Sequence, residues 1–355
     1  MTGRPALGAV LIVKNEVDRI AACLESAIAA GVTVFAITDT GSTDGTTARI
    51  MGTLAAHEGV TGAVQYHPFV NFGDARSAAF AYARGEADWL LALDADMTVE
   101  VDPGWVPDPD VDAYTVAMLT EGVAYRLPLV LRGDRPWVSI GAAHEYTALE
   151  GGVLGRRSAT DAVRVHYEHD AGTRSKALFY ARLLEDELEA EPDNPRTLYY
   201  LAQAYRGLGD PRARDLYGRR AALDDGEEAA LAAYWYACLT PDPAARIPAL
   251  IAAWEKRPSR LEPLYDLVHE LNAAGMYLTA YRLASTTVGP CLDELPRWPA
   301  VYAWGMDFER SIAAWHVGEF AVAAELDRAL LERDLPESVR EAVLRNRALL
   351  PDGLG

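Results

Sequence analysis

Two carboxylates that stand one residue apart, at the end of an apolar run, are the residues of this chain best placed for chemistry. The run 89–93 (WLLAL) is typical of a strand buried inside a sheet, and Asp94 and Asp96 follow it directly. Ligands of α/β proteins bind just beyond the carboxyl ends of parallel strands. Two acids at such a point could hold a divalent cation, which could in turn bind a diphosphate. Solvated acidic loops also contain Asp-x-Asp, so the neighbouring motifs decide its meaning.

Polar residues follow the first two predicted strands in the same way. The segment 13–16 (VKNE) ends strand one, where its side chains could meet a ligand, although Asn15 could equally cap the next helix. Asp39 ends strand two, where a carboxylate can accept hydrogen bonds from a ribose hydroxyl or a base N–H. The segment 40–46 (TGSTDGT) is rich in turn and capping residues, and we assign Asp44 to such a structural role.

Arg76, in the segment 71–76 (NFGDAR), is the fourth candidate. Its guanidinium could reach a base, a ribose or phosphate oxygens, whereas an isolated arginine more often forms a surface salt bridge. Each of the four segments has an ordinary structural explanation when it is taken alone. Their order and spacing in one chain favour a shared ligand site.

Alternating strand and helix signals place these four segments at one edge of a sheet. Strands are predicted at 7–13, 32–38, 60–67 and 89–93, and helices at 16–30, from 46 onward and at 76–84. Beyond residue 97 the pattern is irregular, with strands predicted at 113–118, 125–131 and 164–167. The alternation predicts an α/β fold with a mainly parallel sheet and helices on both of its faces.

Helical patterns dominate from residue 174 onward. Glycine or proline punctuation recurs near 209, 241, 275 and 318, at steps of 32, 34 and 43 residues. The first two steps are close to the roughly 34-residue period of helix-turn-helix repeats. We therefore predict two domains, 1–173 and 174–355, of which the second is all-α. Its aromatic residues are more typical of core packing, but repeat arrays offer concave surfaces that could bind a peptide or glycan acceptor or form a homodimer.

Net charge, cysteine content and the length of apolar runs limit the partners and the location that we expect for this protein. The 355 residues carry a net charge of −19, and both halves are acidic, which argues against nucleic acid or an anionic membrane as the main partner. The three widely spaced cysteines form no zinc motif and no disulfide framework, so we expect a reducing, cytoplasmic environment. No signal peptide is evident, and no apolar run approaches the roughly 20 residues of a membrane span.

Taken together, the motifs resemble family 2 glycosyltransferases of the GT-A fold. The matching segments are VKNE (13–16), TDTGSTDGT (38–46), NFGDARSAAF (71–80) and DWLLALDADM (88–97), followed more loosely by GAAHEY (141–146) and VHYEHD (165–170). With its helical half, the chain is similar to a subgroup fused to tetratricopeptide-like repeats. That subgroup includes bacterial peptide S-glycosyltransferases and lipopolysaccharide-core-type glucosyltransferases.

The resemblance implies a Rossmann-like GT-A domain that binds a nucleotide-diphospho-sugar, above all a UDP-sugar, together with Mn²⁺ or Mg²⁺. Asp39 would contact the base, Arg76 the nucleotide, Asp94 the ribose or the metal, and Asp96 the metal directly. The donor site would also include Val13, Asn15, Glu16 and Ala95. Three positions depart from the usual pattern: Asp39-Thr40 replaces a pair of acids, Ser77 replaces an asparagine, and Met97 replaces an acid.

The same resemblance suggests residues for the remaining roles in an inverting transfer. Glu145 would be the general base that takes the acceptor's proton, although His144 and Glu145 could instead orient each other. His166 would be a third metal ligand, because imidazole can complete a site begun by carboxylates. We expect His169 to be an ordinary exposed residue near a helix start.

Other classes stay as alternatives. A nucleotidyltransferase of related fold would need a glycine-rich, basic first loop, and the segment 13–16 has no glycine. A catalytically inactive repeat scaffold is the second alternative, but its transferase motifs would be expected to decay, and Asp39, Arg76, Asp94 and Asp96 are all present. A dinucleotide-binding dehydrogenase is disfavoured because no Gly-x-Gly-x-x-Gly follows the first strand.

Overall fold

The chain forms two compact units, Met1–Ala190 and Glu191–Gly355. The structure, a computed structural model, describes residues 5–120, 123–167, 173–286, 288–289, 291, 298–351 and 353. The division falls later than the predicted boundary after residue 173. Helix α4 (Arg174–Ala190) belongs to the first unit, because its aromatic side chains and Glu187 contact residues of that unit.

The first unit contains ten strands and three helices that precede α4. The strands are β1 (Leu7–Val13), β2 (Val34–Asp39), β3 (Thr61–Tyr66), β4 (Trp89–Leu93), β5 (Met97–Val101), β6 (Ala113–Thr120), β7 (Val123–Arg132), β8 (Trp137–Ile140), β9 (Tyr146–Leu149) and β10 (Arg157–Tyr167). The helices are α1 (Ile20–Ala29), α2 (Thr46–Ala55) and α3 (Phe72–Ala83). These counts refer to the described residues.

Eight of the strands form one sheet in the order β3-β2-β1-β4-β7-β6-β10-β5, and β8 pairs with β9 in a small second sheet. The first four strands are parallel to one another, whereas β7 pairs antiparallel with both β4 and β6. In the register of the parallel pairs, Val13 lies beside Asp39, and Leu11 lies beside Leu93. The carboxyl ends of β1, β2 and β4 are therefore neighbours, as the predicted α/β fold requires.

Alternation along the central strands builds a core on each face of the sheet. Leu91 and Leu93 of β4 pack in one buried cluster with Ile20 of α1. Leu90 of the same strand packs in the other cluster with Phe80 of α3. Successive side chains of a strand point to opposite faces, so a strand covered on both sides must be apolar at every position. All five residues of β4 are accordingly buried.

The second unit is all-α within its described residues, as predicted. Its helices are α5 (Pro195–Leu208), α6 (Arg212–Ala221), α7 (Glu227–Cys238), α8 (Pro243–Lys256), α9 (Glu262–Ala273), α10 (Tyr277–Ala284), α11 (Met306–His316), α12 (Phe320–Leu331) and α13 (Glu337–Arg347), with a π-helical turn at Val301–Gly305. The predicted punctuation coincides with real helix ends. Gly209, Gly275 and Gly318 follow α5, α9 and α11 with φ of 72°, 73° and 84°, a left-handed conformation that suits glycine.

Among the described residues, no helix is both long enough and apolar enough to cross a bilayer.

Candidate functional site

A cavity of about 430 Å³ opens at the carboxyl ends of β1, β2 and β4. Residues of strands, of loops and, in the case of Arg76, of helix α3 form one part of its lining: Ile12, Val13, Lys14, Glu16, Thr40, Arg76, Asp94, Ala95, Asp96, His144 and Glu145. Aromatic residues and a second lysine form the rest: Phe69, Phe72, Lys176, Phe179 and Tyr180. Most of the predicted site residues therefore meet in one cavity at the sheet edge.

Arg76 joins two acids in this cavity. Its Nη2 donates to Asp94 Oδ1 at 2.8 Å, and its Nε donates to Glu145 Oε1 at 2.9 Å. The side chains of Arg76 and Glu145 are only 15% and 14% exposed, whereas that of Asp94 is 39% exposed. Burial alone would lower the pKa of Arg76, but the two carboxylates raise it above its ordinary value. Arg76 is therefore a fixed cation that holds residues from two loops together.

Negative charge is concentrated beside this ion pair. Burial raises the pKa of Asp96, and the charge of Asp94 raises it further. Burial also raises the pKa of Glu16; Arg19 opposes that shift, while Asp96 and Asp94 add to it. Crowded carboxylates of this kind are relieved by a cation, and carboxylate oxygens are the ligands that Mg²⁺ and Mn²⁺ prefer. The chemistry of Asp96 and its neighbours thus fits a divalent cation.

The structure does not bring the three predicted metal ligands, Asp94, Asp96 and His166, into one group. No group of three His, Cys, Asp or Glu side chains among the described residues is placed to hold a metal ion. His166 Nε2 lies 3.5 Å from Glu100 Oε1, because both residues stand on the antiparallel pair β10 and β5. His166 and Asp96 do line a second cavity of about 510 Å³. His169 lies outside the described residues.

Asp39 ends β2, as predicted, but it is not among the residues that line the cavity. Its Oδ1 accepts hydrogen bonds from Gly41 N at 2.9 Å and Ser42 N at 2.8 Å, and its Oδ2 accepts one from Thr47 Oγ1 at 2.7 Å. Burial alone would raise the pKa of Asp39, but these hydrogen bonds lower it. In this structure Asp39 shapes the β2–α2 loop, and Thr40 is the residue that reaches the cavity.

Asn15, predicted to belong to the donor site with a helix cap as the alternative, joins two loops in the structure. It adopts the left-handed conformation with φ of 57°, and its Oδ1 accepts a hydrogen bond from Thr43 N at 2.8 Å. Its own N–H donates to Ser42 Oγ at 3.0 Å. Helix α1 starts later, after Arg19. Asn15 therefore fastens the β1–α1 loop to the β2–α2 loop, and its neighbours Val13 and Glu16 line the cavity.

Close backbone packing sets the position of Glu145. Helix α3 begins after Asn71, whose side chain accepts a hydrogen bond from Asp74 N, and Phe72 N donates to Ala142 O. A Cβ on Gly73 would lie 2.4 Å from Gly141 O, so only glycine allows this approach. The segment between β8 and β9, which carries Glu145, is thus held against the first turn of α3. Its His144 has φ of 53° and packs against Tyr180, with ring centroids 5.5 Å apart.

The sequence analysis missed the aromatic part of the cavity. Phe69, Phe72, Phe179 and Tyr180 contact one another with centroid distances from 5.2 to 6.2 Å. Helix α4 supplies residues 176, 179 and 180, whose spacing places them on one helical face. The sequence shows this spacing, but aromatic residues at helical spacing are equally typical of core packing, so the spacing alone did not predict a cavity wall.

Comparison with known proteins identifies part of the chain. Residues 9–108 match the family model described as Glycosyl transferase family 2. They span β1 to β5, including Arg76, Asp94 and Asp96. No curated protein matches the sequence.

Among solved structures, the chain is similar to MamA, with 19% identity over 50% of this chain and 98% of that one at a TM-score of 0.37. It is also similar to a mannosyltransferase from Pyrobaculum calidifontis in complex with GDP-Man and Mn²⁺. The identity is 19% over 72% of this chain and 87% of that one, at a TM-score of 0.35. A third similar structure is glucosyl-3-phosphoglycerate synthase from Mycobacterium tuberculosis. The identity is 18% over 33% of this chain and 45% of that one, at a TM-score of 0.25. Because TM-scores this low establish no shared fold, the assignment rests on the family match. Residues 9–108 form a glycosyl transferase family 2 domain, and the chain is a glycosyltransferase that also carries an all-helical unit.

Proposed function

We propose that this glycosyltransferase moves a sugar, with inversion, from a nucleotide-diphospho-sugar to an acceptor, with Mn²⁺ or Mg²⁺ as cofactor. The family match supports a nucleotide-sugar donor, and a UDP-sugar is our first candidate. One observation carries the proposal: Arg76, Asp94, Asp96 and Glu145 line the same cavity at the carboxyl ends of parallel strands.

We assign the donor to this cavity. Asp96 is the proposed metal ligand, because its crowded carboxylate is the one that Arg76 does not bind. Asp94, already bound by Arg76, would contact the ribose or assist the metal. A divalent cation, when bound, would supply charge neutralisation for the leaving diphosphate.

The residues of the chain would then serve one displacement step. The acceptor's nucleophilic atom forms a bond to the anomeric carbon while the bond from that carbon to the diphosphate oxygen breaks. The electron pair of the broken bond leaves with the nucleoside diphosphate. Glu145 takes the proton of the nucleophile, and Arg76 holds the Glu145 carboxylate in place for that transfer.

We propose that the helical unit binds a peptide or glycan acceptor or forms a homodimer, on the ground that helical arrays present extended surfaces. We also propose a cytoplasmic location, which rests on the odd number and wide spacing of the cysteines.

A donor-hydrolysis screen tests the main proposal without an acceptor. UDP-, GDP- and TDP-sugars are incubated with the protein and Mn²⁺, and release of the nucleoside diphosphate is measured. We expect release from one nucleotide class and its loss in Asp96→Ala. If wild-type protein hydrolyses none of these donors and binds none of the three nucleoside diphosphates, the proposed function is wrong.

A further inference from the structure

The segment 141–145 carries the proposed base at its last position and has a backbone conformation that its own sequence does not favour. Ile140 and Tyr146 are paired across the antiparallel strands β8 and β9, so these five residues form the loop of a hairpin. Two of them, Gly141 and His144, have positive φ angles of 116° and 53°. Residues other than glycine rarely adopt this conformation, so contacts from elsewhere in the fold must hold the loop.

The peptide groups of Ala142 provide two of these contacts. The N–H of Ala142 donates to Glu187 Oε1 of α4 at 2.9 Å, and its C=O accepts a hydrogen bond from Phe72 N, at the start of α3, at 3.0 Å. Ala142 is only 4% exposed, and Ala143 is 2% exposed. Because water has little access to a backbone group at this depth, its hydrogen bonds have to be made within the protein.

Helix α4 contacts this loop at two points. Glu187 lies in the last turn of α4, 45 positions after the alanine that it binds. Two turns earlier, Tyr180 packs against His144, with ring centroids 5.5 Å apart. Residues seven apart lie on the same face of a helix. One face of α4 therefore holds the loop at Ala142 and again at His144, the residue that directly precedes the proposed base.

We propose that Glu187 is a positioning residue for sugar transfer, which holds the backbone from which Glu145 projects. The proposal rests on the proposed function, in which Glu145 takes the proton of the nucleophile. Arg76 binds the carboxylate of Glu145, whereas Glu187 binds the chain three residues before it. Glu187 is not among the residues that line the cavity, so it would act through Glu145. A shift of about 1 Å in a base is enough to slow proton transfer considerably.

The test changes Glu187 with and without Glu145. Release of the nucleoside diphosphate from the preferred donor, with Mn²⁺ present and water as acceptor, is measured for wild type, Glu187→Ala, Glu145→Gln and the double variant. We expect Glu187→Ala to lower kcat by about 10- to 100-fold and to change the KM for the donor by less than about twofold. In the Glu145→Gln background the same change should lower kcat by less than about twofold, because no base is left to position.

Further variants separate the hydrogen bond from the mere presence of a side chain. Glu187→Gln keeps an oxygen acceptor at the same reach and should retain kcat within about threefold of wild type. Glu187→Asp keeps the carboxylate but is one methylene shorter, so it should resemble Glu187→Ala. Glu189→Ala, at an exposed position of the same helix, is the matched control and should equal wild type. If Glu187→Ala does not fold, Glu187→Asp takes its place in the comparison.

Hydrogen exchange measures the hold on the loop without relying on activity. The amide of Ala142 should exchange slowly in wild type and in Glu187→Gln, and at least about tenfold faster in Glu187→Ala. Circular dichroism and thermal unfolding establish that each variant is folded.

Three results overturn the role of Glu187 while leaving the proposed function intact. The first is a wild-type kcat in Glu187→Ala. The second is an equal loss of kcat with and without Glu145, which is what a role in stability alone would produce. The third is unchanged exchange at Ala142. If wild type releases no nucleoside diphosphate from any donor, the proposed function and this role fail together.

Discussion

Arg76 Nε donates to Glu145 Oε1 at 2.9 Å and thereby links the helix that follows β3 to the segment between β8 and β9. The two residues are 69 positions apart in the sequence. The same guanidinium binds Asp94, so one side chain fixes the proposed base relative to the acidic pair. The proposed base therefore has its position set by a cation.

The first prediction concerns the base itself. Glu145→Gln keeps the size of the side chain and one acceptor for Arg76 but removes the carboxylate that would take a proton. We expect turnover of the preferred donor to fall by about 100-fold or more, with donor affinity nearly unchanged. Steady-state kinetics and calorimetry measure the two quantities. Glu150→Gln, at an exposed position after β9, is the control. Wild-type turnover in Glu145→Gln would remove this residue from the mechanism.

The second prediction concerns the cation between the two acids. Arg76→Met would leave Asp94 and Glu145 without their shared partner, and we expect a loss of about 2 kcal/mol in the free energy of unfolding. Adding Glu145→Gln should recover part of that loss, since it removes one of the unpaired charges. Urea titrations of the single and double variants measure the coupling. Arg84→Met, at the exposed end of α3, is the control, and an equal loss there would contradict this role of Arg76.

The third prediction concerns the metal. We expect chelation by EDTA to abolish donor hydrolysis and added Mn²⁺ to restore it. Asp96→Asn should weaken Mn²⁺-dependent binding of the nucleoside diphosphate by about 10- to 100-fold. Calorimetry with and without Mn²⁺ separates this effect from general loss of affinity. Asp18→Asn is the control, because Asp18 lines the second cavity but has no proposed metal role. Identical Mn²⁺ dependence in Asp96→Asn and wild type would exclude Asp96 as a ligand.

The fourth prediction concerns the pH dependence of stability. Asp39 has a pKa below its ordinary value in the folded protein, since its hydrogen bonds outweigh the opposing effect of burial. Such a group stabilises the fold at pH values above its unfolded pKa and loses that contribution as the pH falls through the folded pKa. We expect wild type to exceed Asp39→Asn in the free energy of unfolding by about 1 kcal/mol near neutral pH. That difference should be constant down to about pH 5 and shrink below about pH 4.

Urea titrations at neutral and acidic pH measure this difference. Thr47→Val is the matched variant, because it removes one hydrogen bond to Asp39 Oδ2 and keeps the carboxylate. It should show a smaller difference of the same sign. A difference between wild type and Asp39→Asn that grows toward acidic pH would have the wrong sign for this role of Asp39.

The fifth prediction concerns the close approach that positions Glu145. Gly73→Ala would bring a methyl group against Gly141 O, which is backbone and must move. We expect a loss of about 1–3 kcal/mol in stability, together with reduced turnover. Gly52→Ala in α2 is the control, since its Cβ would meet nothing within 4 Å. It should be neutral or stabilise the helix by up to about 1 kcal/mol. A Gly73→Ala protein as stable and active as Gly52→Ala would show that this contact does not determine the position of Glu145.

Strands buried on both faces were the most predictable part of the fold. The bounds of β1 and β4 coincide with prediction, because a continuous apolar run between turn residues leaves little choice of structure. The start of α1 was wrong by four residues, since Glu16 N and Val17 N donate to Thr46 Oγ1 and Asp44 Oδ2, about 30 residues away. Local propensity carries no information about such partners.

The candidate site likewise has residues that could be predicted from the sequence and residues that could not. Arg76, Asp94, Asp96 and Glu145 were recognisable because a motif fixes their spacing, and the structure places all four at one cavity. The direction of a side chain within a loop is not encoded by spacing, so Asp39 was expected in the cavity and instead holds its own loop. The predicted boundary after residue 173 and the division after Ala190 differ because α4 has the same helical pattern as the helices that follow it.

The placement of α4 within the first unit has a consequence for how such a protein can be recombined. A gene fusion that joined a new helical array directly after residue 173 would discard Lys176, Phe179 and Tyr180 and so open one side of the cavity. A junction after Ala190 would keep that wall. Helical arrays could then be exchanged, lengthened or shortened by recombination while the proposed sugar-transfer site is inherited whole. The heritable module is therefore one helix longer than the family motif and its irregular extension.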